Sequence, residues 1–123
     1  MSGYSSEHTV TALLEAWNRR DLDAALALAS PDIVYVNSPL AVEPGTRHGH
    51  EEFAAVLRTQ WDILGDAQID IESVDAGGDE VVALFTLGRS LEGGSGAISA
   101  RQRMHCTVQD GLVVRMEIIP PDA

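Results

Sequence analysis

Tyr35 and Asn37 stand two residues apart in the run Asp32-Ile33-Val34-Tyr35-Val36-Asn37-Ser38-Pro39-Leu40. On a pleated strand that spacing sends both side chains to one side. A phenol and an amide on one face offer hydrogen-bond donors and acceptors without charge, which suits the orientation of a ligand. Strand interiors disfavour asparagine, and an unpaired buried amide costs roughly 1–3 kcal/mol, so Asn37 needs a partner. The alternative is an Asn37 that only opens the Ser38-Pro39 turn, beside a partly exposed Tyr35. His48 and His50 flank Gly49. An imidazole titrates near neutrality, so His48 at a cavity mouth could carry a proton. The plainer reading is a solvated loop, with His50 capping a helix. His-x-His with no third ligand on a defined face does not make a metal site, and no metal is expected.

The composition narrows the partners. The chain has 123 residues, 19 acidic against 8 basic, and a formal charge of −11. Every basic residue is arginine. So acidic a chain repels phosphate backbones and anionic bilayers, which argues against nucleic acid and membranes. The length suits one domain over 1–123 with a single core. A lone cysteine, Cys106, excludes an internal disulfide and reads as a small buried hydrophobe. The first residues have no basic and no apolar run, and no stretch has the length to span a bilayer, so a cytoplasmic location is the default.

The elements that must position these residues follow from periodicity. Val10, Leu13, Leu14 and Trp17 form a helical stripe starting near Ser6. Asp21 is a plausible cap for a second helix through Leu22, Ala25, Leu26 and Ala29, stopped by Ser30-Pro31. Residues 32–37 are a strand and residues 40–49 a loop by composition. A third helix runs from about His50 to Leu64, with the stripe Phe53, Val56, Leu57, Trp61 and Leu64, and Gly65 as its stop. The remainder is strand: 67–74, then 80–90 as a central strand, then a hairpin of 97–109 and 112–119. Turns fall at 76–79 and in the glycine-rich 92–96, and Pro120-Pro121 ends the fold.

The last hairpin admits two registers. With Gln109-Asp110-Gly111 as the loop, Met104 faces Met116, Cys106 faces Val114, His105 faces Arg115 and Arg103 faces Glu117. That register sets apolar against apolar and pairs opposite charges, so it is the expected one. One sheet face then carries Ala100, Gln102, Met104, Cys106, Met116 and Ile118. The other carries Arg101, Arg103, His105, Arg115 and Glu117, and meets either water or a second subunit.

The segment A-W-N-R-R-D-L-D-A-A-L-A-L-A-S-P-D-I-V-Y, the glycine that opens the third helix, and D-G-L-V-V-R-M near the end resemble the SnoaL-like branch of the nuclear transport factor 2-like superfamily. The resemblance covers nearly the whole chain. It implies an α+β fold: a cone-shaped barrel in which three N-terminal helices pack on a curved, mostly antiparallel sheet around an apolar cavity. It does not imply one activity, because the scaffold hosts cyclases, isomerases, dehydratases, hydrolases and binding modules. Against bacterial ketosteroid isomerases, Asn37 falls where the resemblance implies the base aspartate, and Leu13 and Met104 fall near the oxyanion-stabilising tyrosine and acid. None of the three can do that work. Tyr35-Val36-Asn37-Ser38-Pro39-Leu40 is similar to the limonene-type epoxide hydrolases, where Tyr and Asn hold the attacking water. The Asp–Arg–Asp set of that family falls near Phe85, Leu87 and Ile118, so the activating groups are missing.

These readings converge on a pocket for a small, largely apolar organic molecule. Its expected wall is Tyr35, Asn37, Trp17, Trp61, Phe85, Leu87, Gln102, Met104, Met116 and Ile118, with Arg89 near the mouth. No Asp or Glu is expected to point inward. If the chain is an enzyme, the expectation is isomerase, lyase or hydrolase chemistry without a cofactor, with His48 as proton carrier. The alternative is a non-enzymatic homodimer joined through the charged sheet face, its pocket vestigial and filled by Trp17, Trp61 and methionines. An open cavity of several hundred Å³ discriminates between them.

Overall fold

A computed structural model describes residues 5–37, 45–90 and 97–119. The expected break at Ser38-Pro39, the glycine-rich segment and Pro120-Pro121 lie outside these residues, as does the side chain of Arg89. The order is α1 (Ser6–Asn18), α2 (Leu22–Ala27), β1 (Ala29–Asn37), β2 (Gly45–His48), α3 (Gly49–Leu64), β3 (Gln68–Gly77), β4 (Glu80–Ser90), β5 (Ala97–Gln109) and β6 (Leu112–Ile119). The strands form one six-stranded sheet, β2-β1-β6-β5-β4-β3. Only β1 and β6 run parallel among these neighbours.

The α+β class and the mostly antiparallel sheet are as expected, but the sheet is not closed into a barrel. Strands β2 and β3 are its two edges. Closure comes from the helices. The first helix touches β3, β4, β5 and β6, and α3 touches β1 and β2, so the sheet curves around a shared interior. Val10, Leu13, Leu14 and Trp17 are buried there, as the stripe requires. The Ser5 hydroxyl caps α1 by accepting from the His8 N–H at 3.1 Å. At the other end Asn18 works as a surrogate strand for β3: its amide donates to the Ile69 carbonyl at 2.9 Å and accepts from the Ile69 N–H at 2.7 Å.

Four local expectations are corrected. The second helix stops at Ala27 rather than Ala29, because the Leu28 carbonyl accepts from the Val113 N–H at 2.9 Å and draws the chain into the sheet. Pro31 therefore lies within β1, where the pairing with β6 shifts between Ala29 and Val34 and no ladder N–H is asked of it. Second, residues 45–48 are not loop but the edge strand β2, paired with β1 from Val34↔His48 to Asn37↔Gly45. Third, the helix that opens at Gly49, where a φ of +83° favours glycine, comes after β1 and β2 in the chain. The α3 helix thus follows two strands, and the three helices are not all N-terminal to the sheet.

The fourth correction is the hairpin register. The loop is Asp110-Gly111 alone, with φ of 55° and 77°, the two positive values a tight hairpin turn demands. Met104 faces Ile118, Cys106 faces Met116, His105 faces Glu117 and Arg103 faces Ile119. A shift between Thr107 and Val108 inserts Val114 as an extra residue, so the inner faces still match. Arg115 pairs with Glu117 on its own strand at 3.0 Å, not with a cross-strand acid. Among the described residues, no helix is long and apolar enough to cross a membrane.

Candidate functional site

Between the helices and the concave sheet face lies a cavity of about 320 Å³. Strands β4, β5 and β6 supply Phe85, Leu87, Gln102, Met104, Met116 and Ile118, and β1 supplies Tyr35 and Asn37. The alternation that puts Met104, Met116 and Tyr35 inside also puts Gln102 and Asn37 there, nearer the half-exposed ends of their strands. Helix α1 contributes Leu13, Leu14 and Trp17, and α3 contributes Phe53, Val56, Leu57, Thr59, Gln60, Ile63 and Leu64. Ile63 is 54% exposed yet lines the cavity, which places it at the rim. Phe53 stacks obliquely on Tyr35, with ring centroids 5.8 Å apart.

Most of the residues named from the sequence come together here. Trp61 and His48 do not. Trp61 sits behind the wall: it is half-buried, its ring centroid lies 6.3 Å from that of Trp17, and its indole N–H donates to the Trp17 carbonyl at 3.1 Å. His48 is exposed on the edge strand, where its backbone N–H donates to Glu52 Oε1 at 2.8 Å. His50 does not cap the helix; its ring Nε2 lies 2.8 Å from the Ala29 carbonyl and ties α3 to the start of β1.

Gln60 was not foreseen. It occupies the position on the α3 stripe that the pattern had given to Trp61, and a lone amide at a stripe position, one turn after Val56 and Leu57, was the signal available. It joins two predicted residues. The Trp17 indole N–H donates to Gln60 Oε1 at 3.0 Å, and Gln60 Nε2 donates to Tyr35 Oη at 3.0 Å. Indole can only donate, so the amide oxygen must face Trp17 and the NH₂ must face Tyr35. The phenol oxygen is therefore an acceptor from Gln60.

None of the cavity's lining residues among those described carries a carboxylate, a guanidinium or an imidazole. The ionisable group among its described lining residues is Tyr35, only 3% exposed, and burial pushes this phenol up to about 12 despite the opposing Gln60 hydrogen bond and the Arg47 charge. At neutral pH it holds its proton. Among the described residues no three His, Cys, Asp or Glu side chains gather to hold a metal ion. Cys106 is buried beside the wall, its thiol pushed up to about 12 by burial first and the Glu80 charge second, which makes it inert as a nucleophile at neutral pH.

Comparison with known proteins gives the family. The family model described as SnoaL-like domain matches residues 10–116. No functionally curated protein matches the sequence. Among solved structures, TerC co-crystallised with polyporic acid superposes with a TM-score of 0.80 at 23% identity, over 96% of this chain and 93% of that one. IdmH, a candidate polyketide cyclase from Streptomyces antibioticus, gives 0.81 at 22% identity, over 97% and 94%. An NTF2-like protein of unknown function from Burkholderia pseudomallei K96243 gives 0.78 at 24%, over 94% and 91%. At these identities the likeness shows the shared fold.

Proposed function

The chain belongs to the SnoaL-like domain family, and from that premise we propose that its cavity binds a small, uncharged, largely apolar organic molecule. The observation that carries this reading is a cavity of about 320 Å³ walled by aromatic and aliphatic side chains, with Tyr35, Asn37, Thr59, Gln60 and Gln102 as its neutral polar points. That size and character support a small-molecule site over a filled, vestigial pocket. TerC was co-crystallised with polyporic acid on the same fold, which supports a small-molecule site and says nothing of its ligand's charge.

Recognition is the chemistry these residues support. Proton transfer at neutral pH needs a group that titrates there, and among the described residues of the lining the ionisable group is a phenol held far above it. His48, on the exposed edge strand, stands apart from the lining. On this reading Tyr35, Asn37 and Gln102 orient the ligand, the apolar wall supplies its affinity, and the protein acts in the cytoplasm. The test is a panel of terpenoid and polyketide-like compounds followed by quenching of Trp17 fluorescence. Micromolar binding of several uncharged members is expected; no binder in the panel would overturn the reading.

The second reading, which coexists with the first, is assembly through the outer sheet face. Val34, Val36, Val82, Leu84 and Ile119 stand there half-buried among Arg101, Arg103, His105, Arg115 and Glu117. Apolar side chains at the centre of such a face, with Glu72–Arg101 as an exposed ion pair toward its edge, suit a two-fold contact with a second copy.

A further inference from the structure

Arg20 stands where a helix end commonly takes glycine. The α1 helix finishes with the Arg20 N–H donating to the Trp17 carbonyl at 3.1 Å and the Asp21 N–H donating to the Ala16 carbonyl at 3.0 Å. That pair of bonds needs a left-handed residue just past the cap, and Arg20 supplies it with a φ of 57°. A side chain strains this conformation, which glycine adopts freely. The guanidinium offsets the strain. Its central carbon lies 4.5 Å from the centroid of the Trp17 ring. Nη1 donates to the Trp17 carbonyl at 3.2 Å, and Nη2 donates to the Gly65 carbonyl at 2.5 Å and the Ala67 carbonyl at 2.7 Å. One planar fork thus joins the end of α1 to the turn between α3 and β3.

The hold falls on a residue of the cavity. Trp17 belongs to the lining and Arg20 does not, so the guanidinium lies against the indole from outside the wall. The same indole donates to Gln60 Oε1 at 3.0 Å, across to the other helix that Arg20 secures. Helix ends fray, and Trp17 sits in the last turn of α1. Its ring keeps one orientation while it is gripped on its face and at its carbonyl. We propose that Arg20 is a positioning residue for the ligand site, fixing the Trp17 indole as cavity wall so that affinity for an apolar ligand depends on the hold. This rests on the pocket reading above and adds a residue outside the lining that sets its shape. Arg20 acts through Trp17 and touches no ligand.

The experiment compares the wild-type protein with Arg20→Gly and Arg20→Asn. Both replacements suit the left-handed backbone and lack the guanidinium, so the end of α1 is kept. Arg19→Ala, at the exposed neighbour, is the control. Calorimetry gives the affinity for benzophenone, an uncharged two-ring probe. Hydrogen exchange followed by NMR gives the protection of the Trp17 indole N–H, set against the backbone amides of Met104 and Cys106 in β5, inside the sheet. Trp61→Phe tells the two indole signals apart. Both Arg20 variants are expected to weaken benzophenone about fivefold and to speed indole exchange about tenfold relative to the two amides. Arg19→Ala changes neither quantity. Indole and amides speeded alike would show a role in overall stability only, and that result overturns the proposal. An unchanged affinity or an unchanged indole in either Arg20 variant also overturns it, and the pocket reading then stands. If benzophenone does not bind the wild-type protein, both fall together.

Discussion

The absence of lysine turns alkaline pH into a clean probe of this core. In most proteins ammonium groups titrate between about pH 9 and 12 and obscure everything else. Here all eight basic residues are arginine, and the groups left to titrate in that window are one cysteine and two tyrosines, of which Tyr4 lies outside the described residues. Burial raises the Cys106 thiol from about 9 to about 12 and the Tyr35 phenol from about 10 to about 12. The unfolded chain can ionise both groups first, while the folded chain must keep them neutral. Their contribution is therefore fully present below about pH 9 and is lost as the pH climbs toward about 12. At about 1.4 kcal/mol per pH unit, by pH 11 the thiol removes a few kcal/mol, on the order of 3, and the phenol on the order of 1 kcal/mol. Small domains hold about 5–15 kcal/mol in all, so the loss is a large fraction. Urea denaturation at about pH 8 and about pH 11 reads it as a fall in midpoint at constant slope. Cys106→Ala costs about 1–2 kcal/mol at neutral pH through the small space it leaves, but it should remove most of the alkaline slope, and Tyr35→Phe a smaller part. A stability flat from pH 8 to 11, or a slope the same in wild type and Cys106→Ala, would refute the burial argument.

Three further outcomes follow from named contacts. Asn18→Ala deletes both bonds to the Ile69 backbone and is expected to destabilise by about 2–3 kcal/mol in urea, since it strands an N–H and a carbonyl at the start of β3. Gly49→Ala forces a side chain into φ +83° and should cost about 1–2 kcal/mol, whereas Gly77→Ala, with nothing within 4 Å of a new Cβ, should shift the melting temperature little. In solution the protein should sediment as a dimer that Arg103→Glu weakens at least tenfold; a strict monomer, unaffected by that change, removes the assembly role of the outer face.

The sequence made faces legible and left registers open. The α1 stripe is buried as its spacing requires, and β5 and β6 have the bounds that composition implies. The hairpin shows where pattern runs out. Pairing Met104 with Met116 or with Ile118 differs by two residues, and a two-residue slip leaves every side chain on its own face. Alternation therefore fixes which residues are inside, and the turn and the Val114 bulge decide which of them meet. Strand β2 escaped notice because four exposed or half-exposed residues, G-T-R-H, carry no alternation; what makes them a strand is the edge of β1 beside them. Much of the cavity wall was legible for the same reason as the faces. Gln60 was not, because a helix stripe tolerates a neighbour one position away, and Trp61 is the more apolar choice at that spacing. Its role depends on Trp17 and Tyr35, 43 and 25 residues distant, meeting it across the interior.

The central claim is that the space between α1, α3 and the sheet receives an uncharged apolar molecule. A crystal structure of the protein grown with benzophenone tests it most directly. The account predicts density for the two rings among Trp17, Phe85 and Met104, within the cavity lining. A ligand found only on the outer surface, or Trp17 and Trp61 turned inward to fill the space, would contradict it.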